Sequence, residues 1–303
     1  MLNFGLSFFI HSPFQSVLKR DFYSLHQAMP LVTLTSDIGE QDYLVGAAKG
    51  RLLRINPDFS IVDITHKLSP FNYPQASYVC RNAIKNFPEF TYHIILVNLF
   101  ESKPEQLLFA FYKDQYIICA DNGLLSMIIE EKPEMILGVP LEKAAIKNTL
   151  YCIDIAAKVI TQLTNGEPVQ NIGIPDPVFI EKHPLRPTLG EDWMEGQIIF
   201  IDNFENVIVN ITKDQFERQR KGRRFKIVFK RDEIIERISG SYADVPQGEK
   251  LVIFNSAGYM EIAINKGNAA GLFGLKGYSE SSGSMPNVMQ ARLFYQTVKV
   301  YFD

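Results

Sequence analysis

The sequence has little of anything that would staple or anchor it from outside. Its 303 residues hold three cysteines, Cys80, Cys119 and Cys152, scattered without a CxxC pair. That usage fits free thiols in a reducing compartment, and the expected location is cytoplasmic. None of the five histidines lies three to five residues from another histidine or a cysteine, which speaks against a zinc site; no metal or cofactor is expected. No apolar run approaches the roughly 20 residues that cross a bilayer, so no membrane partner is expected. A net charge of −3 offers no global surplus for nucleic acid or an anionic lipid surface. A core must therefore do the stabilising. With 46% hydrophobic and 21% charged residues the composition is that of an ordinary globular protein, long enough for two domains.

Residues 1–28 differ from the rest. Phe4 to Ile10 is a short apolar run with no basic residue before it and no clear small-residue cleavage site after it, a poorly formed signal peptide at best. These residues read as a loosely attached extension. Met29 reads as the start of the fold and a candidate initiator.

From residue 29 the pattern is regular. Leu31 to Thr35 is an apolar, β-branched run ending at Ser36-Asp37, a buried strand that stops at a polar loop. Leu44, Ala47, Ala48, Leu52 and Ile55 recur at helical spacing up to Asn56-Pro57. A strand follows over Ser60 to Thr65. Pro74 then opens a helix where its missing N–H costs nothing, with Val79, Ala83 and Phe87 as its expected buried stripe. Thr91 to Val97 is a third strand. This β-α-β-α-β order implies right-handed crossovers and a mainly parallel sheet. Leu107 to Tyr112 and Gln115 to Cys119 read as a hairpin around Lys113-Asp114, Asn122-Gly123 as a tight turn, and Ile153 to Leu163 as a helix closed by Asn165-Gly166.

Residues 172–190 hold Pro175, Pro177, Pro184 and Pro187, the mark of an extended connector. Short strands follow over Gln197 to Ile201, Val207 to Ile211, Phe225 to Phe229, Leu251 to Phe254 and Tyr259 to Ile264, a series that suggests a small β-barrel or sandwich. The expected organisation is an extension (1–28), an α/β domain (29–175), a linker (176–190) and an all-β barrel (191–303).

Ligands of open parallel sheets bind beyond the carboxyl ends of the strands. That rule selects Asp37, Thr65-His66 and Asn98. Asp37 can accept two hydrogen bonds at once, which suits the vicinal hydroxyls of a ribose; from position alone, capping the next helix is the stronger reading. His66 reads as a hydrogen-bonded structural residue before it reads as a base. The basic run Arg218 to Lys226 has Phe225 as its one aromatic and is soon followed by Asp232, Glu233 and Glu236. It reads as a solvated hairpin, not a nucleic-acid surface.

Several segments in a fixed order carry a resemblance. LTSDIG (34–39), YLVGAAKG (43–50), IVDITH (61–66), ADNGLL (120–125), GQIIFIDNFENVIVNI (196–211) and NSAGYMEIAINKGNAA (255–270) are each weak alone and specific together. They resemble the S-adenosylmethionine (SAM) hydroxide adenosyltransferase family, which also holds the fluorinating and chlorinating enzymes. The resemblance implies an N-terminal α/β domain, a C-terminal β-barrel and a homotrimer, with SAM or adenosine between one subunit's first domain and a neighbour's second. It further implies that Asp37 holds the ribose hydroxyls, that Asp202 and Ser256 hold the methionine part, that Phe204 packs on the adenine and Asn206 bonds its edge, and that Phe71 contacts the ligand. Each has a plain alternative: Phe204 as core, Asp202 and Asn206 as turn residues.

The pattern breaks where the chemistry should be. Hydrolysing members of that family use an aspartate, an arginine and a histidine to activate water. The positions that match are Asn98, Glu105 (within Leu99 to Gln106) and Tyr151. Neither Asn98 nor Tyr151 is a strong base near neutral pH, and Glu105 has the wrong charge to favour hydroxide; Lys103 is the nearest replacement cation. Cys152 is a further candidate, as a stand-in for the hydroxyl of the halogenating relatives or as a nucleophile, although no basic partner lies nearby in sequence to lower its pKa and a buried, inert thiol is the stronger reading. Glu105 would also repel a halide. The expectation is a SAM- or adenosine-binding member with weak or altered hydrolysis of SAM to adenosine and methionine. A non-catalytic sensor is the alternative, and a SAM-dependent halogenase ranks below both.

Overall fold

The computed structural model describes residues 29–229, 233–275 and 296–303; the extension over residues 1–28 lies outside them. Strand β1 (Leu31–Ser36), helix α1 (Leu44–Ile55), β2 (Ser60–Thr65), α2 (Tyr73–Ile84) and β3 (Tyr92–Leu96) come first. The β4 (Gln106–Tyr112)/β5 (Gln115–Ala120) hairpin, α3 (Leu124–Ile128), β6 (Met135–Pro140), α4 (Thr149–Thr164) and a two-residue β7 (Ile174–Pro175) complete one sheet in the order β2-β1-β3-β5-β4-β6-β7. The first three pairings are parallel and the last three antiparallel. The sheet is thus mixed. The β4/β5 turn explains the departure, because Lys113 and Asp114 both take positive φ (49° and 59°), the two-residue geometry that matches hairpin twist.

Helices α1 and α4 cover one face of the sheet through Ala48, Leu52, Ile153, Ala157 and Ile160; α2 and α3 cover the other. The stripe α2 buries is Ala76, Cys80 and Ile84, one position on from the expected Val79, Ala83 and Phe87, which are only partly buried. The helix is rotated because its Tyr78 and Arg81 face the second domain. Tyr78 packs against Phe200 and Tyr259 with ring centroids 5.2 Å apart in each case, and Arg81 donates to the Tyr259 hydroxyl at 3.4 Å.

The second domain is an antiparallel, nearly closed barrel of β8 (Thr188–Leu189), β9 (Trp193–Ile201), β10 (Val207–Thr212), β11 (Phe225–Phe229), β12 (Glu233–Ile235), β13 (Lys250–Phe254), β14 (Tyr259–Ile264) and β15 (Thr297–Phe302), ordered β12-β11-β15-β9-β10-β14-β13 with β8 on β9. Lys250 of β13 reaches Glu233 of β12 at 2.5 Å across the gap. Ile198, Val209, Ile227, Val252, Met260 and Val300 fill the interior. The solvated-hairpin reading of Arg218 to Lys226 is corrected. Lys213–Arg220 is helix α5, started by a reciprocal capping box between Thr212 and Gln215, and Lys221-Gly222 turns the chain into β11. A Thr-x-x-Gln pair satisfies two orphan N–H groups at once, which outweighs the charge-rich composition.

Candidate functional site

Strands β1 and β3 lie side by side, but the chain leaves them in opposite directions, to α1 on one face and toward the β4/β5 hairpin on the other side. In sheets of this kind the switch point at the strands' carboxyl ends is where the ligand crevice lies. Asp37 and Asn98 form its walls. Asp37 Oδ2 accepts the Asn98 backbone N–H at 2.9 Å. Burial drives the Asp37 carboxyl above the usual aspartate value, and the Asn98 N–H offsets only part of that. Desolvation not repaid by the protein is what a partner with hydroxyl donors would repay.

Asn98 is buried (6% exposed) and sits in the left-handed region at φ 49°. Its Oδ1 accepts the backbone N–H of Phe71 at 2.9 Å, which fixes the amide and leaves Nδ2 as the group aimed elsewhere. That Nδ2 is buried without a well-formed hydrogen bond. Phe71 is itself at φ 61°, a conformation costly for a bulky residue, and its ring is 60% exposed. Below, Asn122 ties the floor by donating to Val97 O and Asn98 O at 2.9 and 3.2 Å.

The structure brings Glu105 and Tyr151 to one segment, since Leu141 donates to Glu105 O at 2.8 Å and Glu142 donates to the Tyr151 hydroxyl at 3.0 Å. The Glu105 and Lys103 side chains are exposed. Cys152 is 1% exposed within the α1/α4 core, and burial pushes its thiol up to about 11, so it stays protonated at neutral pH. His66 is likewise buried, with Nδ1 2.7 Å from the Ser36 hydroxyl and Nε2 3.2 Å from Asp63. Among the described residues no three His, Cys, Asp or Glu side chains converge as metal ligands, and no helix is long and apolar enough to cross a membrane.

The barrel's candidates form one turn between β9 and β10. Asp202 Oδ1 accepts the N–H groups of Phe204 and Asn206 at 2.9 and 2.8 Å, and Oδ2 accepts Asn206 Nδ2 at 3.0 Å. Asn206 is buried and the Phe204 ring is 75% exposed. The closing motif docks on the same turn, with Ala270 N–H donating to Glu205 O at 2.9 Å; Ser256 is exposed in the β13–β14 turn. Sequence reasoning missed three residues beside Asn98. The Tyr73 hydroxyl donates to Glu101, and the Lys182 ammonium lies 3.4 Å above the Tyr73 ring and 3.4 Å from Glu101 Oε2. No spacing signal could have found Lys182, which comes from the Pro-rich connector.

Models of the SAM hydroxide adenosyltransferase N-terminal and C-terminal domains match residues 32–173 and 196–281. The chain belongs to the SAM hydroxide adenosyltransferase family. An (R)-S-adenosyl-L-methionine hydrolase of Methanocaldococcus jannaschii is 28% identical over 198 residues, 64% of this chain and 71% of the relative. Another, from Thermus thermophilus, is 26% identical over 259 residues, 81% of this chain and 96% of the relative. A fluorinase of Actinopolyspora mzabensis is 23% identical, covering 82% and 94%. An uncharacterised conserved protein from Thermotoga maritima superposes with a TM-score of 0.72 at 26% identity, over 89% of this chain and 99% of that one.

Proposed function

We propose that this family member binds SAM or adenosine at the Asp37 crevice and hydrolyses SAM to adenosine and methionine only slowly. The observation that carries the reading is Asp37 itself, a half-buried carboxylate at the switch point whose desolvation outweighs the backbone N–H groups of Asn98 and of Asp37 itself. Ribose hydroxyls supply the donors it lacks. Slow turnover follows from the other wall. Asn98 presents an N–H where a water-activating group would need to accept a proton, Glu105 is an anion where a cation favours hydroxide, and the Tyr151 hydroxyl already takes a backbone N–H. Cys152 has no part in it.

The second half of the site comes from a neighbouring copy in a homotrimer. Phe71 and Phe204 support this, because both leave most of a ring in solvent at the two places where ligand and neighbour would meet. The turn of Asp202, Phe204 and Asn206, with Ser256, then covers the methionine and adenine parts, across a boundary between the domains that falls within residues 176–190. Calorimetry with adenosine and SAM tests the ligand, and sedimentation tests the trimer. A wild type that binds neither compound overturns the first, and a monomer that binds tightly overturns the second. A sensor without chemistry is the reading to adopt if binding is tight and SAM is returned intact.

A further inference from the structure

The unit of Tyr73, Glu101 and Lys182 is built, not incidental. Tyr73 is held at the first turn of α2, where Asn72 accepts the Gln75 N–H at 3.1 Å and Pro74 fixes the entry. Glu101 follows β3 in the loop that Asn98 begins, and its N–H donates to Asn98 O at 3.3 Å. Lys182 is clamped from below. Its backbone N–H donates to the Ser126 hydroxyl and its carbonyl accepts from the same hydroxyl, both at 2.8 Å. Its stem lies so close on Gly123 that a Cβ there would come within 2.5 Å of its Cγ. The Asn-Gly turn therefore does more than reverse the chain; it leaves the groove in which this lysine lies.

Lys182 thus delivers a cation, and Glu101 a carboxylate, to the loop that Asn98 begins. The Tyr73 hydroxyl connects them inward. It is the buried end of the unit (Tyr73 is 8% exposed) and lies beside the Asn98 amide and within the field of Asp37. Asn98 Nδ2, buried and without a well-formed hydrogen bond, faces the Tyr73 oxygen. A water held there would donate to the Tyr73 oxygen, which Asn98 and Glu101 orient.

From this geometry, and resting on SAM as the ligand of the crevice, we infer that Glu101 is the proton acceptor for the attacking water in this protein, with Tyr73 as its relay and Lys182 as its positioning cation. The water oxygen forms a bond to the 5′ carbon, and the carbon–sulfur bond breaks with its electron pair going to sulfur, giving neutral thioether methionine. The water's proton passes to the Tyr73 oxygen as Tyr73 gives its own to Glu101, and from there to solvent. Lys182 holds the Glu101 carboxylate in place by charge and takes no part in the proton transfer.

The test compares wild type, Glu101→Gln and Lys182→Met for adenosine release from SAM and for adenosine affinity by calorimetry, each variant first shown to unfold at the wild-type temperature. General-base loss costs about 10²-fold or more. Glu101→Gln should lose that much rate while its adenosine affinity stays within about threefold, and Lys182→Met should lose about tenfold, as expected for a positioning group. Glu101→Asp, which keeps the carboxylate, should recover most of the rate that Glu101→Gln loses. Adenosine release by Glu101→Gln at the wild-type rate overturns the assignment, as does a wild type that binds adenosine and never releases it from SAM. A wild type that binds neither compound overturns the underlying ligand reading instead.

Discussion

Asp37 and Asp202 occupy the same kind of place, a loop just past the end of a strand, and spend their charge in opposite ways. Asp202 turns inward on its own hairpin, taking two backbone N–H groups on one oxygen and the Asn206 amide on the other. Asp37 takes the Asn98 N–H and sits half-buried with its carboxyl driven above the usual value. A carboxylate that closes its own turn repays its desolvation within the fold; one that does not is a cost carried until something else arrives. The same contrast separates the Asn206 amide, satisfied, from Asn98 Nδ2, which is not. The barrel turn satisfies itself, whereas Asp37 and Asn98 keep unspent hydrogen-bonding capacity.

The largest effect should come from rebuilding the crevice. The triple variant Asn98→Asp, Glu105→Arg and Tyr151→His should raise adenosine release by about 10²–10³, the usual worth of a well-placed electrostatic group, while Glu105→Arg alone should do little, since groups acting as a unit are not additive. Chromatography of SAM incubations reads this. If the unmodified protein is as fast as the triple variant, the crevice was never short of its chemistry.

A smaller effect tests the comparison against a polar group that the sheet interior does satisfy. His93 is buried in β3, with Nδ1 2.7 Å from the Thr33 hydroxyl and Nε2 3.1 Å from Gln115 Oε1, and burial lowers its pKa from 6.5 to about 4. The unfolded chain therefore takes up a proton at a higher pH than the native one. Stability should fall as pH drops from about 6.5 toward about 4, by about 3 kcal/mol in all. Urea unfolding should show wild type losing that stability on acidification while His93→Gln does not; a difference between them independent of pH would mean that His93 has the same pKa folded and unfolded.

Next comes the aspartate pair itself. Asp37→Ala should weaken adenosine binding about tenfold to a hundredfold, the worth of charge-assisted hydrogen bonds of about 1.5–3 kcal/mol, with little loss of stability. Asp202→Ala should lose about that same 1.5–3 kcal/mol from the stability of the barrel, because it frees two backbone N–H groups and a buried amide. Calorimetry and urea unfolding on both variants decide it. If Asp202→Ala leaves stability untouched, the contrast between the two sites is broken.

The smallest effect is a shift of pH dependence. Adenosine binding needs Asp37 ionised, and its pKa is raised, so affinity should begin to fall on acidification at a higher pH than an ordinary aspartate would give. For stability the sign is reversed. The raised pKa means the native state binds this proton more tightly than the unfolded chain, so ionised Asp37 costs stability above its native pKa. Asp37→Asn should therefore be slightly more stable than wild type at neutral pH, with the gain vanishing in acid.

Much of this was legible in the order of residues. Apolar runs of strand length, helical spacing up to Asn56-Pro57 and the alternation of β and α dictate the parallel core of the sheet and the crevice at its carboxyl ends, because period and crossover handedness leave few other ways to bury those side chains. Asp37 and Asn98 follow from that alone, as residues just past strand ends. Local chemistry also sets the β4/β5 turn and the start of α2. What the sequence could not decide is where one element faces two neighbours or where distant segments meet. The face that α2 buries is set by Tyr78 and Arg81 packing on the barrel, a demand absent from its own periodicity. The helix after β10 hides inside a charge-rich run until Thr212 and Gln215 are seen to cap it. Above all, Lys182 reaches Glu101, 81 residues away in the chain, and Tyr73, still farther, only because Ser126 and Gly123 hold the connector in place. Spacing along a chain carries information about one element at a time, whereas a charge delivered from a connector is a property of the assembled surface.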